Sequence, residues 1–217
     1  MTHEVDMTTE TRAPLTRQRI IEAAVVFADE HGVDNLSMRK LGAVLGVEAM
    51  SLYNHVADKG DMLDGMIDHI FGSIPLPGLE LDWKDALRYG GTGAMEAFTA
   101  HPWVIGLLGS RGSTRPAPLG YMERILDILT RAGFSDADTH HAWQLLASHT
   151  IGYAFQQITS PAHADVDTVA FKTWLAGAGH LHPNLNRLAP LIMNCEFDRE
   201  YLFGLEVIID GLTTRLS

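Results

Sequence analysis

The run LSMRKLGAVLGVEAMSLYNHVADKGDMLD, residues 36–64, leaves this chain few ways to fold. Ser37 can cap a helix whose apolar face is Leu41, Val44 and Leu45, and Gly46 stops that helix almost at once. A second, very short helix is expected from about Glu48 to His55. Asp58 then caps a longer one, with Asp61 in the capping-box position and Leu63, Met66, Ile67, Ile70 and Ile74 behind it. Upstream, Thr16 is the expected N-cap of a helix bearing Ile20, Ala23, Ala24, Phe27 and Ala28, which ends at His31-Gly32. Two short helices joined through Leu-Gly-Val, with a longer helix packed before them, have the proportions of a helix-turn-helix. In that arrangement Leu41, Leu45, Val47, Leu52 and Val56 form the core. Glu48, Ala49, Met50, Ser51, Tyr53 and Asn54 face outward or lie at the rim, where a major groove could be read.

The remainder reads as helix as well. PLPGLELD, 75–82, marks a boundary, and helical patterns follow around 83–99, 102–110, 119–132, 137–158, 167–178 and 197–215. The breaks between them are GSRGSTRPAP, GFSD, TSPAH and HLHPNLNRLAP. No strand-like alternation lasts more than a few residues, so an all-α fold is expected. The expected organisation is a flexible leader over 1–13, a helix-turn-helix domain over 14–60 and an effector-binding and dimerisation domain over 61–217.

In EYLFGLEVIIDGL, 200–212, apolar residues point in almost every direction, so the helix must be buried on more than one side. The segment Ala142 to Phe155 has the same character, with small residues that permit close helix approach. Two such helices from each of two chains would make a four-helix interface, for which Gly152, Phe155, Leu205, Ile208, Ile209 and Leu212 are the candidates. A core helix buried wholly within one chain is the alternative.

Charge narrows the function. The net charge of −11 argues against a protein that coats nucleic acid by bulk electrostatics. Residues 1–59 hold six bases and nine acids, the remainder ten bases and eighteen acids, so the N-terminal part is less acidic without being basic. If it binds DNA, a few well-placed donors must suffice. Ser51, Tyr53, Lys59 and Thr16 or Arg17 suit phosphate oxygens, and the N-terminus of the fourth helix adds backbone donors. His55 either reaches phosphate or packs within the turn. Arg39, Glu48, Ala49, Met50 and Asn54 are the candidate base readers: Arg39 suits guanine, Ala49 or Met50 a thymine methyl, and Glu48 the cytosine amino group. Arg39 could equally hold a phosphate or pair with Asp34, and Met50 could be a plain exposed apolar residue.

Residues 36–64 resemble the DNA-binding segment of the tetracycline repressor (TetR) family of transcriptional regulators. Leu52, Tyr53, His55, Val56 and Lys59 match that family's L-Y-x-H-V core with a lysine at the next helix start. YLFGLEVIIDGL is similar to the final dimerisation helix of the tetracycline repressor's own subgroup, and LGSRG with TRP is similar to a pocket loop there. The resemblance implies an all-α homodimer on a pseudo-palindromic double-stranded DNA operator. It also implies release by a small-molecule effector that changes the separation of the two reading heads. Two departures matter: Leu107 stands where tetracycline-binding members have a histidine, and Ala49-Met50 stands where the family has Gln-Pro. The first argues against a magnesium–tetracycline chelate as effector, the second for a different operator.

The expected effector pocket draws on Met66, Ile70, Trp103, Leu107, Arg111, Met122, Trp143, Leu146, His149, Tyr153 and Gln156. His149 and Gln156 share one face of an otherwise apolar helix, although a satisfied core histidine explains His149 as well. Arg111 faces either an anionic ligand or solvent. His140-His141 and His180-x-His182 lack the cysteines or acids that would complete a metal set, and no metal or cofactor is expected. The chain has no nucleophile elbow, phosphate loop, dinucleotide fingerprint or metalloprotease pair, so a regulator is favoured over an enzyme. A sequestering module that has lost DNA binding is the further alternative. No run of 18 apolar residues suggests a membrane partner, the first residues do not read as a secretory signal, and Cys195 is the sole cysteine. A cytoplasmic location is expected.

Overall fold

The computed structural model describes residues 14–111, 115–159, 165–194 and 196–216, apart from the side chains of 165–168 and 179. The expected leader 1–13, residues 112–114 of the pocket-loop resemblance and Cys195 lie outside the described residues. All regular structure among the described residues is helical, as the sequence pattern leads one to expect. The contacts part the chain between Leu63 and Asp64, inside α4 (Lys59–Ser73).

In the first unit, α1 (Arg17–His31) starts where Thr16 Oγ1 accepts from Arg19 N and ends at Gly32, whose φ of 79° few side chains tolerate. Ile20, Ile21, Ala24, Val25, Phe27 and Ala28 turn its apolar face inward. Helix α2 (Met38–Leu45) is capped by Ser37 and closed by Gly46 in the left-handed conformation. Its buried stripe is Met38, Leu41, Gly42 and Leu45, at the i, i+3, i+4, i+7 spacing. Val44 falls outside that stripe and is 59% exposed, against the expectation that it belongs to the apolar face. A Cβ on Gly42 would lie 2.9 Å from Val47 O and 3.2 Å from Ala49 N, so the absent side chain is what lets α3 cross here.

Helix α3 is Ala49–Leu52, shorter than the expected run to His55. Beyond Leu52 the chain tightens into a turn, with His55 N bonded to Leu52 O at 2.9 Å. That turn returns Val56 to the core, where it is 2% exposed, and leaves Asp58 to cap α4 by accepting from Asp61 N at 2.8 Å.

The second unit holds α5 (Trp83–Ala100), α6 (Trp103–Arg111), α7 (Pro116–Arg131), α8 (Asp136–Thr159), α9 (Asp165–Ala178), α10 (Pro183–Met193) and α11 (Phe197–Thr213). PLPGLELD is the connection from α4 to α5 within this unit. Helix α11 packs on α8 and α5, and α7 packs on both α5 and α8. Arg88 of α5 ties α11 down by donating to Glu206 at 2.6 and 2.8 Å. The sequence reading took HLHPNLNRLAP as a break, but most of it is α10. Pro183 opens that helix at a position whose N–H would have no intrahelical partner, while Pro190 is carried inside it.

Candidate nucleic-acid interface and ligand cavity

Between Glu48 and Lys59 the first unit separates its core side chains from its displayed ones. Leu52 and Val56 are buried, while Met50 is 74% and Tyr53 43% exposed. Glu48, Asn54 and Lys59 are also exposed, and Ala49, Ser51 and His55 are half-buried. Arg39 is exposed on α2 and makes no hydrogen bond or ion pair with Asp34 among the described residues. Thr16 has its oxygen engaged as the α1 cap.

Arg17 has a structural task. Its guanidinium meets both Asp61 carboxylate oxygens, at 2.6 and 2.8 Å, and also donates to the His55 carbonyl at 3.3 Å. Asp61 in turn accepts from Ala57 N at 2.9 Å. The start of α1 thereby holds the turn between α3 and α4, and with it the row of displayed donors. A phosphate would have to share Arg17 with that carboxylate. The sequence reading identified Asp61 as a capping residue but not as the partner of Arg17, because the pair lies 44 residues apart.

The second unit holds a partly open cavity of ≈ 310 Å³, near the lower end of the range of ~300–1,000 Å³ usual for small-molecule sites. Its wall comes from α4 (Phe71), α5 (Leu87, Gly91, Ala94, Phe98), α6 (Ile105, Leu108), α7 (Tyr121, Met122, Ile125) and α8 (Trp143, Leu146, Thr150, Ile151), among others. Of the expected pocket residues, Met122, Trp143 and Leu146 line it.

The others sit elsewhere. Met66 and Ile70 are fully buried in the surrounding core, at 0% and 1% exposure. Trp103 and Leu107 are half-buried on α6 but not in the wall. Arg111 donates to Asp64 at 2.6 Å, and Arg115 pairs with the same carboxylate. These guanidinium groups, Arg111 foremost, hold the Asp64 carboxyl below its ordinary pKa, with burial opposing them. His149 has Nε2 3.0 Å from the Tyr201 carbonyl, and its ring stacks on Tyr201. Tyr153 packs edge-on against Tyr201 and Phe197, and Gln156 is exposed. Sequence reasoning missed Phe71, Tyr121, Thr150 and Gly91. The GGTGA run at 90–94 carried a signal for the last: Tyr121 donates to Gly90 O at 2.9 Å, and Tyr201 and Leu205 press on Gly91.

The expected dimer residues divide in two. Leu205, Ile209 and Leu212 are 1%, 0% and 6% exposed and already buried within their own chain, so they present almost no surface to a partner. Ile208 is half-buried, Gly152 is exposed and Phe155 is 56% exposed. Helix α11 displays other apolar groups, Phe203 at 71% and Val207 at 55%.

A family profile described as Tetracyclin repressor-like, C-terminal domain, matches residues 75–216. The chain is 30% identical over 209 residues to the HTH-type transcriptional repressor DrrR1 of Streptomyces coeruleorubidus, covering 91% of this chain and 77% of that one. It is 30% identical over 210 residues to the tetracycline repressor protein class D of Escherichia coli, covering 94% and 92%. The crystal structure of the Streptomyces coelicolor TetR family protein ActR in complex with actinorhodin superposes with a TM-score of 0.79 at 30% identity, over 93% of this chain and 98% of that one. Among the described residues, no helix is long and apolar enough to cross a membrane. With the helix-turn-helix and the apolar cavity already in place, these likenesses make the chain a member of the TetR family of ligand-responsive transcriptional regulators.

Proposed function

We propose that this protein represses transcription by occupying a pseudo-palindromic DNA operator as a homodimer, and that a small neutral effector in the α4–α8 cavity releases it. The observation that carries this reading is the display of Met50, Tyr53, Asn54 and Lys59 around a four-residue helix whose own anchor, Leu52, is fully buried. The donors Ser51, Tyr53 and Lys59 fix register on phosphates, while Met50, Ala49, Glu48, Asn54 and Arg39 read base edges. The dimer forms through the exposed apolar faces of α8 and α11, with Phe155, Phe203 and Val207 at the contact. ActR, solved in complex with actinorhodin, supports a ligand-binding role for a chain of this fold. The matched relatives are regulators, and on that ground the cavity is read as an effector site rather than a catalytic one. The site of action is the cytoplasm, where such an operator is met.

Selection of binding sites from random double-stranded DNA with the purified protein, at two salt concentrations, tests the reading. A pseudo-palindromic consensus whose affinity falls steeply with salt is the expected outcome. A folded dimer that enriches no sequence would replace the repressor with a sequestering module.

A further inference from the structure

Rings of Phe71, Phe98, Tyr121 and Trp143 and otherwise aliphatic groups dominate the cavity, and none of its lining side chains among the described residues is charged. A charged ligand would lose its hydration there with no counter-charge to replace it, so the wall suits a neutral, flat, apolar molecule. Among the described residues the polar side-chain groups of that wall are the Tyr121 hydroxyl, already spent on Gly90 O, the Trp143 indole N–H and the Thr150 hydroxyl, and only the last is held by a second side chain. Thr150 of α8 lines the cavity, and its Oγ1 lies 3.1 Å from Tyr201 Oη of α11.

Two hydroxyls bring two protons, and the bond between them uses only one. Other hydroxyls of this unit place that proton on a backbone carbonyl, although Thr139 Oγ1, buried on α8 like Thr150, has no partner among the described residues. Thr159, Thr173 and Thr213 each donate to the carbonyl four residues back at 2.9 Å, and the neighbouring Tyr121 donates to Gly90 O. Thr150 makes no such back-bond, and the Tyr201 oxygen is the sole partner of its side chain among the described residues.

Tyr201 cannot turn away to find another acceptor. It is 2% exposed, its ring is stacked on His149 with centroids 5.0 Å apart, and α5 closes over its hydroxyl so tightly that a Cβ on Gly91 would come within 2.9 Å. An unmet buried donor costs about 1–3 kcal/mol, so Tyr201 donates to Thr150. The Thr150 proton then points into the cavity. Burial also pushes the Tyr201 hydroxyl above its ordinary pKa, which keeps it a donor at neutral and mildly alkaline pH.

We infer that Thr150, oriented by Tyr201, is the side chain that recognises the effector, and that the effector is a neutral, flat, apolar molecule presenting a hydrogen-bond-accepting oxygen such as a ketone. This rests on the reading of the cavity as the effector site. The test titrates the full chain with 9-fluorenone and with fluorene, which share a tricyclic skeleton and differ by one carbonyl, and reads heat by calorimetry. Wild type should bind the ketone roughly 2–10-fold more tightly than the hydrocarbon, the range a single net hydrogen bond gives.

In Thr150→Val, which replaces the hydroxyl with a methyl of similar shape, the ratio of the two dissociation constants should fall to about one. In Thr150→Ser it should return, a rescue that a purely structural role would not produce. Equal binding of the two probes by wild type, or a preference that survives in Thr150→Val, would overturn the assignment and leave the cavity reading standing. Failure of both probes to bind wild type would instead remove the cavity reading, and the Thr150 assignment with it.

Discussion

The displayed groups of the first unit come from one stretch of chain, Glu48 to Lys59, whereas the cavity of the second collects side chains from five helices between Phe71 and Ile151. In the first, backbone devices place the functional groups: the Gly42 crossing, the left-handed Gly46 and the Asp58 cap. In the second, complementary volumes place them, and no short segment holds the site. The difference predicts how each fails. A backbone device fails all at once at one residue, while a packed wall fails in proportion to the volume removed.

The largest effect is expected in the packed unit. Leu205→Ala deletes a side chain that is 1% exposed and presses on Gly91, and should cost about 2–5 kcal/mol. Phe203→Ala, two residues away but 71% exposed, should leave single-chain stability near wild type and weaken self-association instead. Thermal unfolding together with sedimentation separates the two. A loss of stability from Phe203→Ala comparable to that from Leu205→Ala would remove the distinction between an inner and an outer face of α11.

Next in size is the device itself. Gly42→Ala introduces a methyl 2.9 Å from Val47 O and 3.2 Å from Ala49 N, main-chain atoms that cannot rotate aside. The helices must separate, at about 1–3 kcal/mol, and operator binding should be lost while binding of 9-fluorenone in the cavity persists. Full-strength operator binding by Gly42→Ala would show that α3 tolerates a shift in its crossing.

The same contrast governs what could be read before any coordinates. Ser37, Gly46, Asp58 and Thr16 announce caps and stops within three or four residues of the groups they serve, so the helix-turn-helix was legible almost to its boundaries. Its errors were local ones: α3 ends early because Val56 must return to the core, and Val44 misses the buried stripe by one position. The cavity was only half legible. Aromatic and methionine supply flagged Met122 and Trp143, but periodicity cannot tell a side chain that fills a core from one that borders a space, and Met66 and Ile70 are of the first kind. Pairings such as Thr150 with Tyr201, 51 residues apart, leave no trace in local spacing. On α11 the sequence showed too much apolar surface for one face, yet it could not say that Leu205, Ile209 and Leu212 turn inward while Phe203 and Val207 turn out.

The smallest effect concerns α4, which carries a clamped carboxylate in each unit: Asp61 with Arg17 in the first, and Asp64 with Arg111 and Arg115 in the second. The side chain of Asp64 is 23% exposed, and its carboxyl is held below its ordinary value of 3.8, chiefly by the Arg111 hydrogen bond. A depressed folded-state pKa means that the unfolded chain takes up the proton first as acid is added. The stabilisation is therefore complete above about pH 4 and disappears as pH falls through the lower folded-state value. Asp64→Asn removes that titration, so its stability should decline less steeply than wild type's over the same acid range. The difference should be small, on the order of 1 kcal/mol or less, because the pair is partly solvated. Parallel acid unfolding curves for wild type and Asp64→Asn would show that the clamp adds no net stability to the fold. Its role would then be confined to orienting α4 against α6 and α7, beside the wall that Phe71 lends to the cavity.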